Sequence, residues 1–326
     1  MLEKRQIVLK RRQRKKRLKL LKRTAIVVFL LINVIAYLHA YRFTHYTNNQ
    51  SIRTDAPSNL SFGTKVRSVF LGIDNPRPAN KQLPKRFYET ILIQSNKTIE
   101  CWTIRQLNPK GTVILFHGYG SEKSALLKQA EVFMSLGYNT LLVDFMGSGG
   151  SDGNQTTIGF LEAEQVKSCY DYLRKKREKN ILLYGTSMGA VAILKAINDY
   201  QLEPAGIILE CPFGTMKETV QARFRNMGLP AFPFADLLVF WGGAQNGFWA
   251  FGHNPDEYAK AVKCPTLLMY GELDPKVSEL ETNRIYDHLS VKKKLIIFAE
   301  AGHESYLAND KELWVKEIGA FVRSIK

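Results

Sequence analysis

The hydrophobic pattern divides the chain into one long uncharged segment near its beginning and a series of short apolar runs further along. Residues 25–41 carry no charged side chain and follow a dense run of Lys and Arg. From residue 87 onward, short apolar runs alternate with stretches of helical periodicity. Alternating strands and amphipathic helices are typical of a mostly parallel sheet covered by helices, so the pattern predicts an α/β fold.

Eight segments of this region have the pattern of strands. The first two, residues 87–94 and 100–104, alternate as a hairpin-like pair. The others are mostly apolar, as buried parallel strands are; they cover residues 112–116, 140–145, 181–184, 206–210, 265–270 and 294–298. The sequence therefore predicts a mostly parallel eight-stranded sheet with helices on both faces.

The longest predicted connection, residues 212–263, lies between the sixth and seventh strands. A segment of this length is too long for a simple connection in a compact fold, so we interpret it as a cap over the sheet. It is rich in Phe and Trp and lacks regular periodicity. We expect these aromatic side chains, Trp241 and Trp249 among them, to line an apolar acyl pocket; the alternative is that they only pack the cap onto the domain.

The beginning of the chain has the pattern of a membrane anchor. Residues 1–23 contain twelve Lys or Arg and one Glu, a net charge of +11, and residues 24–41 follow as an uncharged segment. That segment is at the short end for a membrane span, for which about 20 residues are typical. Because basic residues stay in the cytoplasm, everything after the span is expected outside the cytoplasm.

Two alternatives compete with the anchor. A signal peptide cleaved near Ala40 would leave a secreted or periplasmic protein, and a buried helix of a globular domain is the third interpretation, weakened by the absence of a polar face. Residues 42–86 are polar and contain several prolines, so we interpret them as a tether with one helix near residues 63–71. The main domain is then residues 87–326.

The position of the charge excludes a nucleic-acid-binding protein. The net charge is +16, but residues 42–110 carry +7 of it and residues 111–326 carry −2. A protein that binds nucleic acid needs a basic surface on its folded domain. The four cysteines are widely separated and have neither metal-ligand spacing nor the pattern of a disulfide framework.

Residues 181–194 contain the first candidate catalytic motif. An apolar segment typical of a strand is followed by Gly-Thr-Ser-Met-Gly and then by a segment with helical periodicity. This pattern predicts a nucleophile elbow with Ser187 on a strained turn. Gly185 and Gly189 allow the strand and the helix to approach closely. The alternative is a glycine-rich strand-to-helix connection in a non-catalytic α/β protein. The predicted strand before the motif and the predicted helix after it argue against that alternative.

Two further residues complete a catalytic set with Ser187. Asp274 and His303 each follow a predicted strand, and the carboxyl ends of parallel strands meet at one edge of a sheet. A serine needs an imidazole to accept its proton, and a carboxylate to orient that imidazole. Glu272 is the second candidate for the acid and Glu210 a more distant one.

The turn after the first parallel strand, His117-Gly118-Tyr119-Gly120, offers backbone N–H groups. We expect the amides of Tyr119 and Met188 to form an oxyanion hole; the alternative is an ordinary glycine turn. The glycine-rich run at residues 147–153 is not followed by Gly-Lys-Ser/Thr, so it is not a nucleotide-binding loop. We expect it instead to pass beside His303.

Together these motifs resemble the α/β-hydrolase superfamily, and within it the membrane-anchored serine-aminopeptidase-like and Bem46-like hydrolases. The resemblance covers residues 87–326 and is carried by residues 117–120, Asp144 with 147–153, 185–189, 271–274 and 301–303. It implies the α/β-hydrolase fold with a Ser187, Asp274 and His303 triad, and neither a metal ion nor an organic cofactor. The irregular cap departs from the helical lids of close relatives, which leaves the substrate class open.

The sequence thus predicts a membrane-tethered serine hydrolase that cleaves a carboxylic ester or thioester through an acyl-enzyme. The expected partners are a small-molecule or lipid-like acyl substrate and, through residues 24–41, a membrane. A serine peptidase or aminopeptidase is the first alternative, although no group for orienting a peptide terminus is evident apart from the candidates Glu210 and Glu218 near the cap. A non-catalytic binding protein on the same fold is the second, and the presence of all three triad residues argues against it.

Overall fold

The computed structural model describes residues 2–47, 61, 63, 72 and 75–325. The helix expected near residues 63–71 lies outside the described residues, apart from Gly63, as does most of the expected tether. The described ends of that tether, residues 42–47 and 75–80, lie against the domain. Tyr46 N donates to Asn154 O of the domain at 2.6 Å, and Thr47 N donates to Asn75 O at 2.9 Å, which joins the two ends to each other.

One eight-stranded sheet forms the centre of the domain, with the strand order β1-β2-β4-β3-β5-β6-β7-β8. The β1-β2 and β2-β4 pairs are antiparallel and all the others are parallel. The strands are β1 (Glu89–Gln94), β2 (Thr98–Ile104), β3 (Thr112–Phe116), β4 (Asn139–Val143), β5 (Ile181–Thr186), β6 (Gly206–Glu210), β7 (Thr266–Gly271) and β8 (Lys293–Phe298). The predicted fold class is confirmed.

Helices cover both faces of this sheet. The described residues form the helices α1 (Leu2–Thr44), α2 (Leu127–Ser135), α3 (Glu162–Lys175), α4 (Met188–Tyr200), α5 (Met216–Asn226), α6 (Phe234–Gln245), α7 (Pro255–Tyr258), α8 (Glu279–His288), α9 (Tyr306–Asn309) and α10 (Lys311–Ser324). Short 3-10 turns lie at Lys123–Leu126, Ala250–Gly252 and Ala259–Ala261.

The core has two layers because side chains of a strand alternate between its faces. On β3, Ile114 and Phe116 pack with α3, α4 and α8, whereas Val113 and Leu115 pack with α2 and α10. All five residues of β3 are buried. Helices therefore enclose the centre of the sheet on both sides, and its carboxyl edge is left for the site.

The glycine-rich loop after β4 is held by a buried ion pair. Asp144 pairs with Lys123 Nζ and accepts from Lys123 N at 2.7 Å and from Gly150 N at 3.0 Å. Lys123 also pairs with Glu100 at 2.7 Å. Burial by itself would raise the pKa of Asp144, because it disfavours the charged carboxylate. The positive charge and hydrogen bonds of Lys123 have the larger effect, so the pKa of Asp144 is lowered. This loop contacts β2, where Glu100 N donates to Ser151 Oγ at 2.8 Å and Thr98 O accepts from Asp152 N at 2.8 Å. The expectation that it passes beside His303 was therefore wrong.

The cap between β6 and β7 is more regular than expected, since it contains helices α5 and α6. Thr215 caps α5 by accepting from Glu218 N at 3.1 Å. Helix α6 begins after Pro233 and contains Gly242 and Gly243. These residues and the apolar character of α6 on several sides hid its periodicity.

Helix α1 packs against this cap. Trp241 Nε1 donates to Asn33 Oδ1 at 3.2 Å, and Gln245 Nε2 donates to Tyr37 O at 2.7 Å. Ala36 and Ala40 are buried, whereas residues 21–31 are exposed. By length and composition, Leu9–Thr44 is able to cross a membrane. The last part of the expected anchor is thus also part of the folded domain.

Candidate active site

The turn between β5 and α4 places Ser187 in a strained backbone conformation, with φ 51° and ψ −112°. Positive φ is unusual for a residue with a Cβ. Both neighbouring glycines are required by close approach: a Cβ at Gly185 would lie 2.5 Å from Ala190 N, and one at Gly189 would lie 2.4 Å from Phe116 O. The turn therefore has the geometry that the sequence pattern predicts for a nucleophile elbow.

The structure brings Ser187, His303 and Asp274 together in one hydrogen-bonded chain. Ser187 Oγ lies 3.0 Å from His303 Nε2, and His303 Nδ1 lies 2.6 Å from Asp274 Oδ2. The Asp274 side chain is fully buried and that of His303 is 14% exposed. Asp274 Oδ1 accepts from Lys276 N at 2.7 Å and from Val277 N at 3.1 Å. With Nδ1–H donating to the carboxylate, Nε2 is left to accept from the serine.

Neither alternative acid contacts His303 in the described structure. Glu272 is exposed on the loop after β7. Glu210 is buried and accepts from Trp314 Nε1 at 2.5 Å, and burial raises its pKa to about 7. Of the three candidates, the geometry brings only Asp274 to the imidazole.

His117 supports the neighbouring turn rather than the serine. Its side chain is fully buried, and Phe145 N donates to its Nε2 at 3.1 Å. Burial lowers the pKa of His117, which keeps the ring neutral and Nε2 an acceptor. The histidine thereby fastens the end of β3 to the segment after β4.

A cavity of about 280 Å³ opens at Ser187, and the residues expected to supply the oxyanion hole, Tyr119 and Met188, both line it. Met188 is the first residue of α4, where unpaired N–H groups and the helix dipole favour negative charge. The Tyr119 hydroxyl donates to Phe43 O at 2.8 Å. The roles of the two amides stay a prediction.

An apolar pocket of about 50 Å³ adjoins this cavity, and the two share Ile158, Thr219 and Arg223 as lining residues. Its walls are formed by α1, by the loop before α3 and by the cap. The lining residues include Ala40, Phe43, Leu238, Val239, Gly242 and Phe248. Neither Trp241 nor Trp249 lines it. Trp241 stacks edge-on against Tyr37 with ring centroids 5.4 Å apart, and Trp249 is 64% exposed. The expectation that these two tryptophans line the pocket was wrong.

Three residues outside the predicted motifs, Arg223, Phe43 and Asn75, line the serine cavity or hold a residue that lines it. The Arg223 guanidinium lies 4.5 Å from the ring centroid of Phe43 and 5.2 Å from that of Tyr119. Asn75 Nδ2 donates to the Tyr119 hydroxyl at 3.0 Å. Phe43 and Asn75 fall in the segment interpreted as a tether. The sequence around Phe43 and Asn75 does not indicate these contacts, because their partner Tyr119 is far away along the chain.

Asp274 and His303 also form a group with Cys211 whose ligand atoms lie within 4.8 Å of one another. This set fits a metal ion poorly. A metal needs a thiolate and a free imidazole lone pair, but burial raises the pKa of Cys211 well above its usual range. His303 Nδ1 is already hydrogen-bonded to Asp274. Asp274 and His303 are better explained as part of the hydrogen-bonded chain to Ser187, with the Cys211 thiol beside it.

A sheet of this order, a cap after β6 and a serine on a strained strand-to-helix turn define the α/β-hydrolase fold. The chain has the α/β-hydrolase fold, and the family model, the lipase and the esterase that it resembles are those of hydrolases. The family described as Serine aminopeptidase, S33 (Hydrolase_4) matches residues 107–239.

Known proteins resemble the chain over much of its length. The uncharacterized protein YqkD of Bacillus subtilis (strain 168) is 26% identical over 215 residues, which are 65% of this chain and 70% of that protein. Lysophosphatidylserine lipase ABHD12 of Danio rerio is 23% identical over 201 residues, 60% of this chain and 51% of that protein. The chain thus spans about half the length of the lipase. The solved Pyrococcus furiosus esterase Pf2001 aligns with a TM-score of 0.66 and 25% identity, covering 77% of this chain and 97% of that one.

The contact between His303 and Asp274 predicts a large difference between two acidic residues of the same loop. Asp274→Asn should lower the turnover of p-nitrophenyl acetate by about 10⁴-fold, because an amide no longer holds the imidazole in the required tautomer. Glu272→Gln is the matched control and should retain most of the activity. Steady-state kinetics of the two variants check this, and comparable losses in both would move the acid to another residue.

Proposed function

We propose that this protein is a serine hydrolase that cleaves a carboxylic ester or thioester through an acyl-enzyme on Ser187. The observation that carries the proposal is the hydrogen-bonded chain from Ser187 Oγ through His303 to the buried Asp274, with distances of 3.0 Å and 2.6 Å. It lies on a strained elbow that opens into a cavity. Such an arrangement makes a hydroxyl nucleophilic at neutral pH.

In the proposed reaction, His303 Nε2 accepts the proton of Ser187 as Oγ attacks the carbonyl carbon. Asp274 stabilises the imidazolium, and the amides of Tyr119 and Met188 hold the oxyanion. When the tetrahedral intermediate collapses, the bond to the leaving group breaks and His303 protonates the alcohol or thiol. Water then attacks the acyl carbon with His303 again as the base, which releases the acid and restores Ser187.

The apolar pocket supports a substrate with an aliphatic acyl group. It adjoins the serine cavity and is lined mostly by apolar side chains, and each buried methylene contributes roughly 0.8 kcal/mol. The names of the esterase and lipase relatives agree with an acyl ester. We therefore propose a small-molecule or lipid ester whose acyl chain enters this pocket.

A peptidase is the second candidate, because Glu304 lines the serine cavity and is exposed. Its carboxylate accepts from Gly302 N at 2.9 Å and is available to a positively charged amino terminus. The other acidic residue of that lining, Glu210, is buried beside Trp314. Hydrolysis of aminoacyl anilides that is lost in Glu304→Gln, together with weak ester hydrolysis, would favour the peptidase.

We also propose that residues 24–41 are a retained membrane anchor, with residues 1–23 in the cytoplasm and the hydrolase domain, residues 87–326 with its cap at 212–263, outside it. The charge step before residue 24 supports this orientation. Cleavage near Ala40 would remove Asn33 and Tyr37, which hydrogen-bond to Trp241 and Gln245 of the cap. The packing of α1 thus favours an uncut chain.

The nucleophile is tested by covalent labelling. A fluorophosphonate probe should label the full-length protein at Ser187, and Ser187→Ala should abolish labelling and lower ester turnover by at least about 10⁴-fold. Ser305→Ala, which changes another serine of the cavity lining, is the control. Stoichiometric labelling of Ser187→Ala would assign the nucleophile to another residue.

The acyl pocket is tested with linear p-nitrophenyl esters of increasing length. kcat/KM should rise by up to about fourfold per methylene until the pocket is full. Gly242→Leu should flatten this rise and spare the acetate, because a Cβ at Gly242 meets no atom within 4 Å and the residue lines the pocket. Ala244→Leu, on the exposed side of the same helix, is the control. A parent enzyme with no dependence on chain length contradicts the acyl pocket.

The orientation is tested by reporter fusion after Lys326. A reporter that is active only outside the cytoplasm should be active, and the protein should stay with membranes after a carbonate wash. Activity of a reporter that works only in the cytoplasm contradicts the orientation, and a soluble product beginning at Tyr41 shows cleavage instead.

A further inference from the structure

We propose that cap helix α6 lies within the membrane leaflet next to the domain, beside α1, so that the hydrolase takes its ester from the bilayer itself. This inference rests on the proposed anchor and on the proposed function, and it adds a surface and a substrate source to them. The surface comprises Phe240 and Ala244 of α6, with Phe232 before the helix and Trp249 after it. We call it the cap surface.

Only a short part of the apolar segment of α1 is free of contacts with the domain. Arg23 is the last charged residue before the apolar segment, residues 24–31 are exposed, and packing begins at Ile32 and Asn33. Residues 24–31 span about 12 Å at the rise of an α-helix. The hydrocarbon core of a bilayer is about 30 Å thick. The part of α1 that packs on the domain must therefore also cross hydrocarbon.

Helix α6 packs on that part of α1. Trp241 donates to Asn33 at 3.2 Å, and its ring meets that of Tyr37. The Asn33 amide in turn donates to Phe29 O at 2.9 Å. Polar side chains within a membrane need such partners, because lipid offers none. The contacts place α6 at the depth of residues 33–37, the middle of the expected span.

The composition of α6 suits that depth. Its one charged residue, Asp236, is in the first turn and pairs with Lys217 at 2.7 Å. Ala235, Val239 and Gly243 are its buried residues, and Trp241 and Gln245 contact α1. Phe240 is 42% exposed, and Ala244 is one turn further along the same face. A bilayer removes this apolar face from water.

The apolar pocket lies between the same two helices. Ala40 and Phe43 of α1 and Leu238 and Gly242 of α6 line it, and Arg223 is shared with the serine cavity. An acyl chain in the leaflet thus has an apolar path from beside α6 toward Ser187. The substrate class that fits is an ester of a bilayer-resident amphiphile.

The cap surface is tested by spin-label accessibility in full-length protein reconstituted into phosphatidylcholine vesicles. Labels at Phe240→Cys and at the milder Ala244→Cys should collide mainly with oxygen, which partitions into lipid, and little with a water-soluble nickel complex. The four native cysteines are buried. Leu107→Cys is the reference, since Leu107 is 93% exposed on the loop before β3, at the opposite edge of the sheet. Its label should favour the nickel complex.

A second measurement links this surface to substrate delivery. Phe240→Asp should lower the ratio of long-chain monoacylglycerol hydrolysis in vesicles to soluble p-nitrophenyl acetate hydrolysis by about tenfold or more, because a charge is costly in hydrocarbon. Leu107→Asp should leave the ratio unchanged. An unchanged ratio in Phe240→Asp contradicts delivery from the bilayer.

Failure of this inference is distinguishable from failure of the proposed function. Labels at residues 240 and 244 that are as accessible to the nickel complex as the label at residue 107 overturn the inference, even when the probe still labels Ser187. If the spin labels at residues 240 and 244 collide mainly with oxygen but the fluorophosphonate probe does not label Ser187, the cap surface lies in the membrane and the serine hydrolase proposal is wrong.

Discussion

The strained backbone at Ser187 is the constraint on which the rest of the site depends. The positive φ is maintained because β5 and α4 are both fixed in the core and because Gly185 and Gly189 allow the chain to turn between them. Ser187 N also donates to Glu210 O of the neighbouring strand at 2.7 Å. Strain of this kind persists only when the surroundings over-determine it. The parallel sheet supplies those surroundings, and its carboxyl edge brings Asp274 and His303 to the same place.

The same edge explains why the N-terminal helix matters to the site. Phe43 accepts a hydrogen bond from Tyr119, which lines the serine cavity, and Ala40 lines the apolar pocket. Helix α1 is therefore a wall of the site, and in the proposed topology it is also the anchor. With that anchor, the contact would fix the position of the membrane relative to the site, which a flexible tether would not do.

The sequence was most informative where structure is determined locally. The strands were predictable from short apolar runs, and the elbow from glycines at fixed spacing around Ser187. Asp274 was favoured over Glu272 from its place on the loop, and the structure brings it to the imidazole. Helix α6 was missed because it contacts the domain on one side and α1 on another, which removes the polar face that makes a helix visible. Trp241 was assigned to the wrong surface because side-chain direction in the cap depends on that packing.

A rapid-quench experiment shows whether acyl transfer passes through Ser187. Full-length protein is mixed with p-nitrophenyl butyrate, quenched with acid within the first turnover and digested for peptide mass spectrometry. With Ser187 as the nucleophile, a butyryl group is expected on the peptide that contains Ser187, together with a burst of p-nitrophenol. An unmodified Ser187 during turnover, or a butyryl group on another residue, would contradict the proposed acyl-enzyme.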